Sequence, residues 1–125
     1  MATILVIEDD PIILENTLEL LELEGFNVMG ANDGLNGLEQ ALKYMPDAII
    51  CDVMMPKLDG YGVLSAIRAN PTTSAIPLIF VSAKPREELV ADSAKLGMFD
   101  FLIKPFRATD LLRMIRKLIA DRAAQ

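Results

Sequence analysis

The sequence predicts an α/β fold on a doubly wound parallel sheet, and three observations carry that prediction. Five short apolar, β-rich runs recur along the chain. Each is followed by a stretch whose apolar residues return at three and four positions, and the connections between them are short. Strict β-α alternation at this spacing implies parallel strands with helices on both faces and right-handed crossovers.

Thr3 to Ile7 is β-rich and apolar on both faces, as a strand buried in a parallel sheet should be. It ends in Glu8-Asp9-Asp10-Pro11, with Asp10 positioned as a helix N-cap and Pro11 at the first helical position. Leu14, Leu18 and Leu21, joined by Ile13 and Thr17, form an amphipathic stripe to about Glu24, and Gly25 is the natural stop. Asn27 to Ala31 reads as a second, more exposed strand. Asp33-Gly34 turns the chain into a helix with Leu35, Leu38, Ala41 and Leu42 on one face, ending near Tyr44-Met45-Pro46.

Ala48 to Cys51 is a third strand that stops abruptly at Asp52. After a loop from Pro56 to Gly60, Val63, Leu64 and Ile67 mark a third helix, halted at Asn70-Pro71. Ile76 to Val81 is a fourth strand with Pro77 tolerable at its start, running into Ser82-Ala83-Lys84-Pro85. Glu87 to Leu96 is a helix with a weaker apolar stripe, closed by Gly97. Phe99 to Ile103 is the fifth strand and ends at Lys104-Pro105. Leu111, Leu112, Ile115, Leu118 and Ile119 define a last helix to about Asp121, after which Ala123-Ala124-Gln125 reads as a frayed end or the start of a linker.

At 125 residues, one domain spanning 1–125 is expected, and an apolar fraction of 52% argues against disorder. Twelve basic against 18 acidic side chains leave a net charge of -6, which disfavours direct nucleic-acid binding and anionic membranes. The one cysteine, Cys51, builds neither a disulfide framework nor a structural zinc site, and the absence of histidine excludes histidine-based acid-base catalysis and ligation. Any metal would be hard and oxygen-ligated. No apolar run reaches the length of a membrane span and Met1-Ala2-Thr3 lacks a basic signal-peptide start, so a cytoplasmic location is expected.

All strand C-termini of a parallel sheet share one edge, so Glu8, Asp9, Asp52, Ser82 and Lys104 can converge in the crevice where such sheets bind ligands. Alone, the acidic pair reads as a helix cap, and Ser82 and Lys104-Pro105 read as turns. Jointly they point to chemistry. Three close carboxylates repel one another, and a divalent cation such as Mg²⁺ (or Mn²⁺) removes that conflict while completing its shell with water and phosphate. Lys104 adds a charge suited to phosphate and Ser82 a hydroxyl, which suits phosphoryl transfer. With no other activated nucleophile available, a carboxylate is the natural acceptor, giving an aspartyl phosphate.

These residues resemble the receiver domain of a two-component response regulator over nearly the full length. The matching pieces are Ile4 to Asp10, Asp52-Val53-Met54-Met55-Pro56 with Asp59-Gly60, Val81-Ser82-Ala83, and Leu102 to Phe106. The resemblance implies a flavodoxin-like sheet of order 2-1-3-4-5 with five helices. It implies Asp52 as phospho-acceptor, Glu8, Asp9, Asp52 and the Met54 backbone carbonyl around the metal, Ser82 and Lys104 on the phosphoryl group, and Phe101 as switch aromatic. A cis Lys104–Pro105 bond is also implied. Implied partners are a sensor histidine kinase or phosphotransfer protein as phosphodonor and an output partner or attached effector domain. The protein would be a signalling switch, a monomer or weak phosphorylation-dependent dimer, and no enzyme beyond its own phosphorylation and dephosphorylation.

Departures from the pattern are Glu8 for Asp, Ser82 for Thr, and Met98-Phe99 for a small-acidic pair. The last, with Met114 where an Arg is usual, argues against the dimer of the winged-helix branch. Met98, Phe99 and Phe101 are expected to give the face of helix 4, strand 5 and helix 5 a more apolar contact surface. Among other classes, a degenerate receiver acting only as an interaction module is opposed by the intact site residues. A haloacid-dehalogenase-type phosphatase needs a second Asp where Met54 stands. A flavin carrier needs a Ser/Thr/Gly-rich loop where Glu8-Asp9-Asp10 stands.

Overall fold

A computed structural model describes residues 1–124. Five strands, β1 (Thr3–Ile7), β2 (Asn27–Ala31), β3 (Ala48–Asp52), β4 (Leu78–Ser82) and β5 (Asp100–Ile103), alternate with five helices. The helices are α1 (Pro11–Leu23), α2 (Gly34–Tyr44), α3 (Gly60–Ala69), α4 (Arg86–Leu96) and α5 (Ala108–Ala123). The strands form one sheet in the order β2-β1-β3-β4-β5, every pair parallel. This is the doubly wound, flavodoxin-like arrangement that the alternation implies.

Because successive side chains point to opposite faces, each central strand feeds two cores. Ile4, Val6, Ile50, Ile79 and Val81 face Leu21 of α1 and Leu111, Leu112 and Ile115 of α5. Leu5, Ile7, Ile49, Cys51, Leu78 and Phe80 face Ala41, Val63, Leu64, Ile67 and Leu89 on α2, α3 and α4. The fully apolar strands follow from this burial on both faces.

Helix starts follow local chemistry. Oδ1 of Asp10 accepts the amides of Ile12 and Ile13 with Pro11 at the first helical position, Asp33 caps α2 through Asn36, and Asp59 caps α3 through Gly62. Gly25 and Gly97, each at φ +93°, stop α1 and α4 in backbone that a side chain rarely adopts.

Four sequence expectations are corrected. α2 does not bury Leu35 or Leu42, which are exposed; its inward stripe is Gly34, Gly37 and Ala41 with Leu38 partly buried. A Cβ on Gly37 would run into the Ile7 side chain, so small residues let α2 sit close to β1. β4 starts at Leu78, because Ile76 closes a turn onto the carbonyl of Thr73, and the Pro77 carbonyl, not its missing N–H, meets β3. β5 starts at Asp100, because the Phe99 amide leaves the ladder and donates to Ser93 Oγ at 3.2 Å. Last, α5 runs to Ala123, past Asp121. Gln125 of the expected frayed end lies outside the described residues.

Candidate functional site

The C-terminal ends of β1, β3, β4 and β5 bring the expected side chains together. Glu8, just after β1, is fixed by its amide, which donates to the Ala31 carbonyl at 3.0 Å, and its side chain is only 3% exposed. Its carboxylate accepts the Asp10 amide at 3.2 Å and the Lys104 ammonium at 2.9 Å. Asp52, the last residue of β3, is 8% exposed; one oxygen faces the Met54 amide at 3.4 Å and the other the Lys104 ammonium at 3.4 Å. Asp9 stays exposed on the rim.

Carboxylate oxygens of Glu8, Asp9 and Asp52 lie within 4.8 Å of one another. One ammonium serves two of these three acids, so negative charge is in excess. Loss of water on its inward side, then the hydrogen-bonded Glu8 carboxylate, raise the Asp9 pKa above the usual carboxylate value. Burial works against the charge on Lys104, but the hydrogen bond to Glu8 and the attraction of Asp52 overcome it, and its pKa is raised. Three oxygen donors, one of them unpaired with a cation, suit a hard divalent ion in preference to a softer metal.

Ser82 is fully buried at the end of β4; its Oγ accepts the Lys84 amide at 3.1 Å and its carbonyl accepts the Lys104 amide at 2.8 Å. The Lys104–Pro105 peptide is cis. Gly60 closes the floor: its amide donates to the Val53 carbonyl at 2.8 Å, and a Cβ there would strike the Asp52 carbonyl oxygen and Phe80. Met54 turns its side chain outward. Cys51 is core, where burial pushes its thiol up.

Phe101 is half-buried, packed on the α2/α3/α4-side core with the Arg86 guanidinium 5.6 Å from its ring centre. Phe99 is corrected in part: at 8% exposure it belongs to the core, edge-on to Phe80 at 4.9 Å, and reaches the surface only in the wall of an apolar groove with Val90, Met98 and Phe101. It is Met98, 88% exposed, together with Val90 and Leu96 that leaves apolar surface around α4 and the approach to β5. The sequence reading missed Tyr61 and Asp92, which meet Lys84 beside Ser82. Acids four and eight residues after Lys84 were the available signal. Among the described residues, no helix is long and apolar enough to cross a membrane.

The family model described as the response regulator receiver domain matches residues 4–116. The probable transcriptional regulator ycf29 of Pyropia yezoensis is 38% identical over 94% of this chain and 53% of its own length. Protein PilH of Pseudomonas aeruginosa is 32% identical over 96% of this chain and 99% of its own length. PilH aside, the chain spans about half the length of these curated relatives. Among solved structures, a response regulator receiver domain protein from Clostridium thermocellum superposes with a TM-score of 0.90 at 32% identity, covering 99% of this chain and 98% of that one. A sensor histidine kinase receiver domain from Pseudomonas aeruginosa, with a magnesium ion coordinated in its active site cleft, gives 0.87 at 30% identity, covering 95% and 98%.

Proposed function

The chain belongs to the response regulator receiver domain family, and from that premise we propose that it is a phosphorylation-driven signalling switch whose acceptor is Asp52. The observation that carries this reading is the Asp52 carboxylate at the end of β3, with Lys104 and the Glu8–Asp9 pair on one side and the buried Ser82 hydroxyl at the neighbouring strand end. An Asp52 oxygen attacks phosphorus; the donor's P–N bond breaks, and its electron pair stays with the departing imidazole nitrogen of a sensor-kinase or phosphotransfer-protein phosphohistidine. Lys104 meets the incoming negative charge, and the Ser82 hydroxyl then donates to a phosphoryl oxygen.

Glu8, Asp9, Asp52 and the Met54 backbone carbonyl would hold Mg²⁺ or Mn²⁺. Bound there, the ion neutralises the carboxylates and the phosphoryl oxygens, which is where phosphoryl transfer gains most of its rate. The excess acid around Asp9 supports this assignment.

Phosphorylation biases two arrangements of one fold. Ser82 moves toward Asp52, and Phe101 turns inward into the space so vacated. The face of α4, β5 and α5, with Met98 and Val90 at its apolar end, is what an output partner or an attached effector domain reads.

Intact-mass measurement after incubation with acetyl phosphate tests this. A base-labile phosphoryl adduct that requires Mg²⁺ and is lost in Asp52→Asn is the expected result. No adduct on the wild type, with beryllofluoride also failing to bind, would leave only a phosphorylation-independent interaction module.

A further inference from the structure

Beside the phosphoryl site, three polar groups from three elements close on one another. The Lys84 ammonium, in the loop after β4, lies 2.7 Å from Oδ2 of Asp92 on α4 and 5.0 Å from the centre of the Tyr61 ring on α3. The Tyr61 hydroxyl donates to the same Asp92 oxygen and sits 3.4 Å from the Lys84 ammonium. Lys84 and Asp92 keep only 19% and 25% of their side-chain surface in solvent, so the pair is less screened than an open surface bridge.

Two features connect this cluster to the switch. Ser82 Oγ accepts the Lys84 amide at 3.1 Å, so the Ser82 side chain and the Lys84 backbone are tied within one tight turn. The Tyr61 ring also stands 5.4 Å from Phe80 and 5.8 Å from Phe99, and Phe99 stands 6.1 Å from Phe101. Tyr61 therefore touches both the loop that carries Ser82 and the aromatic line that ends at Phe101.

We propose that Tyr61 and Asp92 are positioning residues that hold the Ser82–Lys84 turn back from Asp52, so that the clasp on Lys84 must open before Ser82 reaches a phosphoryl group. The inference rests on the phosphorylation reading of Asp52. A contact present only in the resting arrangement lowers the population of the competent one, and any ligand of the competent arrangement binds more weakly by that fraction. Removing the clasp then tightens binding of a phosphoryl mimic without touching a residue that contacts it. A merely structural role would leave that affinity unchanged or weaken it.

The test is titration of beryllofluoride with Mg²⁺ onto the 125-residue chain, followed by backbone amide NMR. Asp92→Ala and Tyr61→Phe, the latter keeping the ring between Phe80 and Phe99, are each expected to tighten binding about two- to five-fold. Both act through Lys84, so the double variant should gain no more than the stronger single one. Asp92→Glu, which keeps the carboxylate, should stay near wild type, and thermal unfolding checks that each variant folds. Equal or weaker affinity in the folded Asp92→Ala and Tyr61→Phe variants overturns the clasp. A wild type that binds no beryllofluoride overturns the phosphorylation reading itself and the clasp with it.

Discussion

Glu8 and Asp9 are neighbours in the chain and opposites in environment. Glu8 is buried and pairs with Lys104, whereas Asp9 is exposed on the rim and makes no ion pair among the described residues. Its pKa lies above the ordinary value of 3.8, so folding favours its protonated form. The linkage has a definite sign: the contribution is complete below about 3.8 and is lost as pH rises through the folded value. At pH 7 the ionised Asp9 therefore opposes folding of the metal-free protein. On the proposed Mg²⁺ assignment, Asp9→Asn is expected to raise the metal-free melting temperature and to blunt the further rise expected of the wild type in MgCl₂. The rise expected of the wild type follows mass action, about 1.4 kcal/mol at ten times the dissociation constant. An unchanged metal response in the variant would remove Asp9 from the site. The convergence of Glu8, Asp9, Asp52, Ser82 and Lys104 was legible in sequence, because a parallel sheet sends every strand end to one edge. Tyr61 and Asp92 were not, because their meeting depends on how α3 and α4 pack, which no strand-end rule specifies.

Among the elements, α2 shows how a correct helix can be read with the wrong face inward. The leucine spacing from Leu35 to Leu42 suggests an apolar stripe, yet the helix rotates to bury Gly34, Gly37 and Ala41, with Gly37 against β1 and Gly34 against the Leu58 backbone. Close approach decides the face: a Cβ at Gly37 would lie 2.6 Å from Cγ1 and 3.0 Å from Cγ2 of the fully buried Ile7. Hydrophobicity counts ranked the residues and could not see that gap. Gly37→Ala gains about 1 kcal/mol of helix propensity but forces the overlap onto Ile7, for a net loss of about 1–2 kcal/mol. Leu42→Lys, on the exposed side, should change stability by less than about 0.5 kcal/mol. Urea unfolding of the two variants decides the orientation, and the reverse ranking would return the leucines to the core. The same reasoning explains Phe99. Read as the first residue of the fifth strand, it is expected on the contact face; its amide instead leaves the ladder for the Ser93 hydroxyl, and its ring packs edge-on against Phe80.

For the molecule as a whole, the distribution of titrating groups fixes where stability can change with pH. The chain has no histidine, and burial pushes its only thiol up, so neither residue type adds a titration near neutrality. The alkaline edge is shared by Lys104 at the strand ends, whose pKa is raised, and by the clasp between α3, α4 and the loop after β4. Burial, then the hydrogen bond to Asp92, push Tyr61 from 10.0 up to about 12, while the hydrogen bond to Asp92 raises Lys84 above 10.5. Both groups bind their protons more tightly when folded. Their contribution is therefore full below about pH 10 and lost as pH rises through about 12, where tyrosinate and neutral lysine no longer hold Asp92. Stability should stay level through neutrality and fall between pH 10 and 12, with a shallower fall in Tyr61→Phe. In a Tyr44→Phe background Tyr61 is the remaining tyrosine, and its ultraviolet tyrosinate absorbance should rise near pH 12. If that absorbance rises at about 10 while the protein is still folded, the three elements are not clasped through Tyr61.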